Sequence, residues 1–179
     1  MTTSNVESSQ DHHYQEAAAE YGAALERLAR AYEADPDRRR DLLQDIHLAL
    51  WRSFAAWNQQ CSLRTWIYRV AHNTAASHVL RERRLRSRVL VSLEELESAP
   101  DPIAPEAAAG DREALDRLLA LVQALKPVDR QVILSYLEGL DAASISEITG
   151  LSAVNVATKI HRIKSVLARK FHEGAKHAD

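Results

Sequence analysis

Three prolines within six residues, Pro100, Pro102 and Pro105, divide this chain into two parts. A proline inside a helix lacks the backbone N–H and clashes with the preceding turn, so no continuous helix can cross this stretch. On both sides of it, apolar residues recur at three- and four-residue steps, which is the period of a helix that buries one face. We therefore predict an all-α protein with two small helical domains joined by a flexible linker over residues 91–110.

The composition agrees with an all-α fold, since Gly and Pro number only 5 each in 179 residues and leave few turns for an all-β fold. We place the two domains at residues 14–90 and 111–172, with a disordered tail over 1–13 and a short tail over 173–179. The chain lacks both a signal-peptide pattern and an apolar run of roughly 18 residues that could span a membrane. Together with a single cysteine, Cys61, these features predict a cytoplasmic protein with no membrane span.

Charge is segregated along the chain, although the net charge is only −2. Residues 62–90 carry seven Lys or Arg against one acid, and residues 156–171 carry five against none. The intervening residues 91–125 carry eight acids against two basic side chains. Two basic helices separated by an acidic stretch indicate two contacts with a polyanion. Two solvated helix faces are the alternative interpretation.

A helix-turn-helix pattern lies near the C-terminal end. A short helix over residues 142–149 is followed by Gly150 and then by Ser152, which can cap a long last helix. The small turn residue lets the two helices cross steeply, so that the second can enter the major groove. An ordinary helical hairpin is the alternative. The side chains left facing DNA would be Asn155, Thr158, Lys159, His161, Arg162 and Lys164.

The stretch over residues 62–74 mixes aromatic, arginine and small polar side chains on one predicted helix. Aromatic rings can stack on unpaired bases while arginine holds phosphates, so this stretch is suited to single-stranded DNA. The alternative is that Trp66 belongs to the core of the domain, at least in part.

These patterns together resemble the bacterial sigma-70 family, in its extracytoplasmic-function group. The segment DLLQDIHLALW (residues 41–51) resembles the polymerase-binding helix of region two, and residues 62–73 resemble the adjoining promoter-melting segment. Residues 125–148 resemble region four. The resemblance covers residues 14–171 in the family's order, and the spacer lacks the longer middle domain of housekeeping sigma factors.

The resemblance implies a non-enzymatic sigma factor that binds core RNA polymerase and directs promoter-specific transcription initiation. The N-terminal domain would melt the minus-ten element, and the helix-turn-helix would recognise the minus-thirty-five element. Core RNA polymerase, promoter DNA and an anti-sigma factor are the implied partners. The polymerase-binding residues would be Asp41, Leu42, Gln44, Asp45 and Leu48. The minus-ten residues would be Asn58, Gln59, Gln60, Ser62, Arg64, Trp66, Arg69 and Asn73.

Three departures from the family pattern concern the expected contacts. The loop over residues 57–61 reads WNQQC where the family often has Phe-Arg-Gly, which leaves the captured base undefined. Ala157 stands where the recognition helix commonly carries arginine, and His47 replaces a more usual apolar residue.

Two other classes of protein are alternatives to this interpretation. A two-domain regulator that binds duplex DNA without polymerase would explain the last helix but not residues 41–73. A helical-bundle enzyme would need a catalytic constellation, and the sequence has neither a phosphate-binding glycine loop nor a nucleophile motif. The histidines show no ligand spacing with Cys61, so we predict no cofactor and no metal site.

Overall fold

The computed structural model describes residues 3–86, 90–98 and 111–176, and these residues are almost entirely helical. Their helices are α1 (Thr3–Tyr32), α2 (Pro36–Ser53), α3 (Leu63–Arg86), α4 (Leu93–Ser98), α5 (Asp111–Ala124), α6 (Pro127–Leu137), α7 (Ala142–Thr149) and α8 (Ala153–Lys176). The predicted all-α fold is confirmed, because the β-structure of these residues is one isolated bridge between Val91 and Leu125. In the described ranges, every helix is too short or too polar to cross a bilayer.

Helices α1, α2 and α3 pack on one another and form the N-terminal half. Helix α2 begins at Pro36 because the Asp35 carboxylate accepts hydrogen bonds from two backbone N–H groups of the first turn. The apolar stripe predicted from the sequence is its buried face, with Leu42, Ile46 and Leu50 at most 1% exposed. The opposite, polar face of α2 is therefore available to solvent.

Helices α6, α7 and α8 form the core of the C-terminal half, and α7 and α8 are the two helices of the predicted helix-turn-helix. Asp141 caps α7, and Gly150 ends it in a left-handed conformation at φ +75°. A residue with a Cβ is strained in that conformation, so the glycine allows the sharp turn into α8. Ile145 of α7 and Ile163 of α8 are fully buried and hold the two helices together.

The start of the predicted linker belongs to the C-terminal half. The Val91 N–H donates to the Ala124 carbonyl at 3.0 Å, and the Lys126 N–H donates to the Val91 carbonyl at 3.1 Å. Helix α4 follows and packs against α8, with Leu93 and Leu96 buried. A linker over residues 91–110 is therefore too long at its start, and its remainder, residues 99–110, lies outside the described residues.

The two halves contact each other directly. Helix α1 contacts α5, and α3 contacts both α6 and α7. The guanidinium of Arg130 on α6 is 1% exposed, and it donates to the carbonyls of Leu125 at 2.9 Å and Tyr32 at 3.4 Å. Because Tyr32 ends α1, this buried cation binds backbone from both halves.

Both predicted tails are helical over part of their length. Helix α1 begins at Thr3, upstream of the predicted start at Tyr14, and Gln10 is already buried at 8% exposure. The first part of the chain reads as polar, but it packs against the end of α2 through side-chain contacts that sequence periodicity does not reveal. At the other end α8 extends to Lys176, and residues 177–179 lie outside the described part.

Candidate nucleic-acid and polymerase interfaces

The predicted polymerase-binding residues of α2 divide into an exposed group and a buried one. Asp41, Gln44 and Asp45 are exposed, and Leu48 is 43% exposed. Leu42 is fully buried in the core, so its assignment as a direct polymerase contact is corrected. Leu42 belongs to the apolar stripe that periodicity predicts for α2, and only the family resemblance counted it among the polymerase contacts.

A polar groove of about 390 Å³ lies between α2 and α3, beside this exposed face. It joins Asp45 and Leu48 of α2 to Asn73 of α3, which was predicted to contact the minus-ten DNA. Arg52 and Arg81 also line it, together with the side chains of Thr74, Ser77 and His78. Guanidinium, amide and hydroxyl groups can donate to phosphate oxygens and base edges, so the groove is chemically suited to a nucleic-acid strand. The two arginines stand on different helices, so their proximity is not visible in the sequence.

The loop between α2 and α3 presents most of the other predicted minus-ten residues. Asn58, Gln59 and Gln60 are exposed, and Gln59 adopts a left-handed φ of +61°. The Gln60 N–H donates to the Asn58 side-chain oxygen at 3.3 Å. Ser62 accepts a hydrogen bond from the Thr65 N–H at 3.1 Å, so it caps α3 in addition to any contact with DNA.

Trp66, Arg64 and Arg69 extend from α3, but each has a partner within the chain. The Trp66 indole donates to the Ser53 hydroxyl at 3.0 Å and is half-buried, which agrees with a partial core role. The Arg69 guanidinium lies 3.6 Å from the Glu147 carboxylate of α7. Arg64 donates to the Glu138 carbonyl. Both arginines are therefore held against the C-terminal half in this arrangement.

Glu138, next to the end of α6, is the centre of this contact. Its carboxylate accepts from Arg27 Nε at 2.9 Å and Nη2 at 2.8 Å, and from the Tyr68 hydroxyl at 3.0 Å. The hydrogen bonds from Arg27 lower the pKa of Glu138, while burial is the main cause that raises the pKa of Tyr68. The members of this group lie far apart in the chain, so no sequence pattern indicates it.

His72 is fully buried between the two halves. Its Nδ1 lies 3.0 Å from the Tyr32 hydroxyl, and its Nε2 lies 3.0 Å from the Ser135 hydroxyl of α6. Burial lowers the pKa of His72 to about 3. The imidazole is therefore neutral and can satisfy one donor and one acceptor role with these two hydroxyls.

The predicted minus-thirty-five residues lie on or beside the exposed face of α8. Asn155, Thr158, His161, Arg162 and Lys164 are exposed, while Lys159 is half-buried. The ammonium of Lys159 lies 2.5 Å from the Asp129 carboxylate. That of Lys164 lies 3.2 Å from the Tyr136 hydroxyl.

Arg162 is held by the acidic helix α4. Its guanidinium contacts Glu94 at 2.6 Å and Glu97 at 3.4 Å, and Glu97 also contacts Arg169 at 3.2 Å. Hydrogen bonds to these arginines are the largest cause that lowers the pKa of Glu97. Lys170, which the sequence places among the basic residues of this helix, is buried at 8% exposure. The face of α8 that was predicted to contact DNA is therefore in contact with acidic side chains of the same chain.

Two family profiles match the chain, one in each half. Sigma-70 region 2 matches residues 18–85, which begin within α1 and end within α3, and Sigma-70 region 4 matches residues 115–167, which begin within α5 and end within α8. The chain belongs to the sigma-70 family. Its relatives among characterised sequences place it in the extracytoplasmic-function group of sigma factors.

The extracytoplasmic-function sigma factor SigG of Mycobacterium tuberculosis is 31% identical over 150 residues. That match covers 71% of this chain but only 40% of SigG, so the sigma-70 protein described here corresponds to less than half of that relative. The sigma factor CnrH of Cupriavidus metallidurans is 28% identical over 160 residues, with 84% of this chain and 82% of CnrH covered. A solved structure of CnrH in complex with the cytosolic domain of CnrY has the same fold, with a TM-score of 0.65 and 20% identity over 93% of this chain and 92% of that one.

The described residues of this sigma-70 protein were compared with the grouping that a metal ion needs. Among residues 3–86, 90–98 and 111–176, His, Cys, Asp and Glu do not gather in a group of three or more that could hold a metal ion. The cluster around His72 and Glu138 is instead a hydrogen-bonded junction between the two halves.

Proposed function

We propose that this protein is a sigma factor that binds core RNA polymerase in the cytoplasm and directs promoter-specific transcription initiation, without enzymatic activity of its own. The observation that carries the proposal is the presence of both region matches, in family order, on one chain. Each matched region also presents a polar surface that the fold does not use for its core.

Polymerase docking is assigned to the exposed face of α2. Asp41, Gln44 and Asp45 supply polar and acidic groups there, and Leu48 adds an exposed apolar side chain. The apolar side chain of Leu48 can be buried against a partner while the polar groups around it form hydrogen bonds at the rim of the contact. Leu42 supports this face from beneath, as part of the core.

Promoter melting is assigned to the groove between α2 and α3 together with the loop over residues 57–62. Extruding a base from the duplex costs a few kcal/mol, which contacts to the extruded base and to phosphates must offset. The exposed amides of Asn58, Gln59 and Gln60 can bond to base edges. Arg52 in the groove can hold the strand's phosphates, and Arg81 can do so when it leaves the Asp45 carboxylate, which lies 3.6 Å from its guanidinium.

Recognition of the minus-thirty-five element is assigned to α8, whose N-terminal part would enter the major groove. Asn155, Thr158 and Arg162 lie three or four residues apart and can share one face. Arg162 has the donors to bond the two acceptors of guanine, and Asn155 can pair with adenine.

Promoter binding requires that several of these residues exchange partners. Arg69 contacts Glu147, Arg64 contacts the Glu138 carbonyl, and Arg162 contacts α4. These contacts are partly exposed and individually weak, so DNA phosphates and base edges can replace them. We infer that the two halves separate when the protein binds polymerase and promoter.

An anti-sigma factor is the proposed regulatory partner. The structurally similar CnrH was solved in complex with the cytosolic domain of CnrY. An apolar groove of about 320 Å³ at the junction of the halves, lined by Leu115, Leu119 and Leu137 among others, offers a surface on which such a partner could pack.

Transcription with purified core polymerase tests the proposed function. The chain should support run-off transcription from a cognate promoter, while core polymerase alone should not. The double variant Gln44→Ala/Asp45→Arg should weaken binding to core in a native gel, because both side chains are exposed on α2. Its matched control is Gln15→Ala/Glu16→Arg on α1, where both residues are also exposed.

Equal loss of core binding in both double variants would reject the docking assignment. Promoter binding by the chain alone, with no association with core polymerase, would instead support a duplex-binding regulator and overturn the proposed function.

A further inference from the structure

Gln10 and Asp11 of α1 contact the end of α2 through two hydrogen bonds. The Gln10 side-chain amide donates to the Trp51 carbonyl at 2.6 Å, and the Trp51 indole donates to the Asp11 carboxylate at 2.8 Å. Trp51 stands in the last turn of α2, where backbone carbonyls lack partners within the helix. Gln10 is buried at 8% exposure, so this end of α2 is capped by a side chain from another helix.

Two further residues of the same segment pack on the residues that lead into the minus-ten loop. The His13 ring meets the Trp57 ring edge-to-face with centroids 5.1 Å apart, and it lies 5.9 Å from the Phe54 ring. The Tyr14 hydroxyl lies 3.1 Å from His47 Nδ1. His47, which departs from the family pattern, is therefore a second contact of α2 with α1, beside Trp51.

The contact between His13 and Trp57 is made by ring packing. Within the described part of the chain, neither His13 Nδ1 nor Trp57 Nε1 has a hydrogen-bond partner, although both atoms are buried. Edge-to-face aromatic pairs are attractive beyond the area that they bury. A purely apolar ring at position 13 should therefore preserve the contact, because it would remove an unpaired buried polar atom.

Trp57 is the first residue of the loop whose exposed amides, Asn58 to Gln60, are assigned to base capture. Ser62 anchors the other end by capping α3. A binding loop held at both ends loses less conformational entropy when it binds its ligand than a loop held at one end. The contact with His13 thus fixes the end of the loop that the cap of α3 does not reach.

We propose that Gln10–Tyr14, which we name the N-terminal latch, positions the minus-ten loop for base capture. The latch lies upstream of residue 18, where the match to Sigma-70 region 2 begins. It acts through Trp51 and Trp57 and does not touch DNA itself. The role in melting rests on the proposed function, whereas the effect on loop mobility can be measured without DNA or polymerase.

Cys61 is the chain's single cysteine and lies inside the loop, so it can carry one fluorescent label or react with one alkylating reagent. The experiment compares full-length wild type with His13→Ala, Gln10→Ala and His13→Phe. The control is Gln15→Ala, an exposed position on the same helix. His13→Ala should speed Cys61 alkylation roughly fivefold and lower the anisotropy of the label, because the aromatic contact is lost.

The same variants are then assembled with core polymerase on a promoter and probed with permanganate. His13→Ala should reduce melting several-fold while core binding in a native gel is unchanged, and His13→Phe should restore both loop rigidity and melting. Circular dichroism checks that α1 remains folded, as expected from its buried residues downstream of the latch.

Wild-type alkylation rates and anisotropy in both His13→Ala and Gln10→Ala would overturn the proposal. So would failure of His13→Phe to restore loop rigidity, since that would show that ring packing does not hold Trp57. If the wild-type chain melts no promoter at all, the proposed function fails, while the alkylation rates still decide whether the latch holds the loop.

Discussion

Glu138, next to the end of α6, receives both Nε and Nη2 of Arg27 on α1, at 2.9 and 2.8 Å, and thereby ties the C-terminal half to the N-terminal half. The Tyr68 hydroxyl adds a third hydrogen bond to the same carboxylate. Each of these three donors belongs to the half that matches Sigma-70 region 2.

Glu138→Ala should weaken the contact between the halves by about 1–2 kcal/mol, because it removes a partly exposed ion pair and a hydrogen bond to Tyr68. Small-angle scattering should show a larger radius of gyration for this variant. Asp37→Ala, which removes an exposed pair with Arg40 elsewhere, is the control and should leave the radius unchanged. An unchanged radius for Glu138→Ala would show that apolar packing alone closes the halves.

Acid should destabilise the protein through His72. Its pKa is about 3 when folded and 6.5 ordinarily, so below pH 6.5 the unfolded chain binds a proton that the folded chain does not. Stability is therefore lost as pH falls, and this residue should account for about 2 kcal/mol between about pH 7 and pH 5. Urea unfolding of wild type and His72→Gln measures this, and the variant should show the shallower dependence. Parallel pH profiles would contradict the prediction.

Arg162→Ala should relax base preference at one position of the minus-thirty-five element and cost about 1–3 kcal/mol of binding free energy there. Ser165→Ala, an exposed change one turn further along α8, is the control. The measurement is a binding series over single-base promoter variants at several salt concentrations. A uniform loss across all sequences would assign Arg162 to phosphate contact.

The double variant Glu94→Gln/Glu97→Gln should bind minus-thirty-five DNA more tightly than wild type, because it removes the carboxylates that contact Arg162 and repel phosphate beside α8. We expect a gain of a few-fold, in line with the small free energy of exposed ion pairs. Glu95→Gln is the matched control, since Glu95 caps α4 through Ser92 and a glutamine can keep that cap. An equal gain in DNA affinity for the control would show that the effect arises from the change in net charge alone.

Much of the fold could be predicted from the periodicity of apolar residues and from the residues that begin or end helices. The stripe of α2 and the turn at Gly150 depend on local spacing, and both lie where the sequence indicated. The exposed recognition face of α8 follows from the same periodicity, because its apolar positions pack on the core.

The remaining features depend on contacts between residues distant in sequence. Helix α4 is six residues long and is held by burial against α8, so its own pattern is too short to reveal it. The pairing of Arg27 with Glu138 joins residues 111 positions apart, and each looks like an ordinary surface charge in the sequence. The burial of Leu42, by contrast, follows from the local spacing of the α2 stripe, and it disagrees with the direct polymerase contact that the resemblance implied.

The bridge between Val91 and Leu125 places the start of the predicted linker in the C-terminal half. Residues 90–98 and α5 both belong to the C-terminal half, so the proline-containing stretch over 99–110 begins and ends on the same half. The chain therefore passes from the N-terminal half to the C-terminal half between the end of α3 and Leu90. A protease cut within 99–110 should therefore not release two independent domains. It should give a split protein, in which the fragment carrying α4 reassembles with the one carrying α5 to α8, and separately expressed pieces should complement each other.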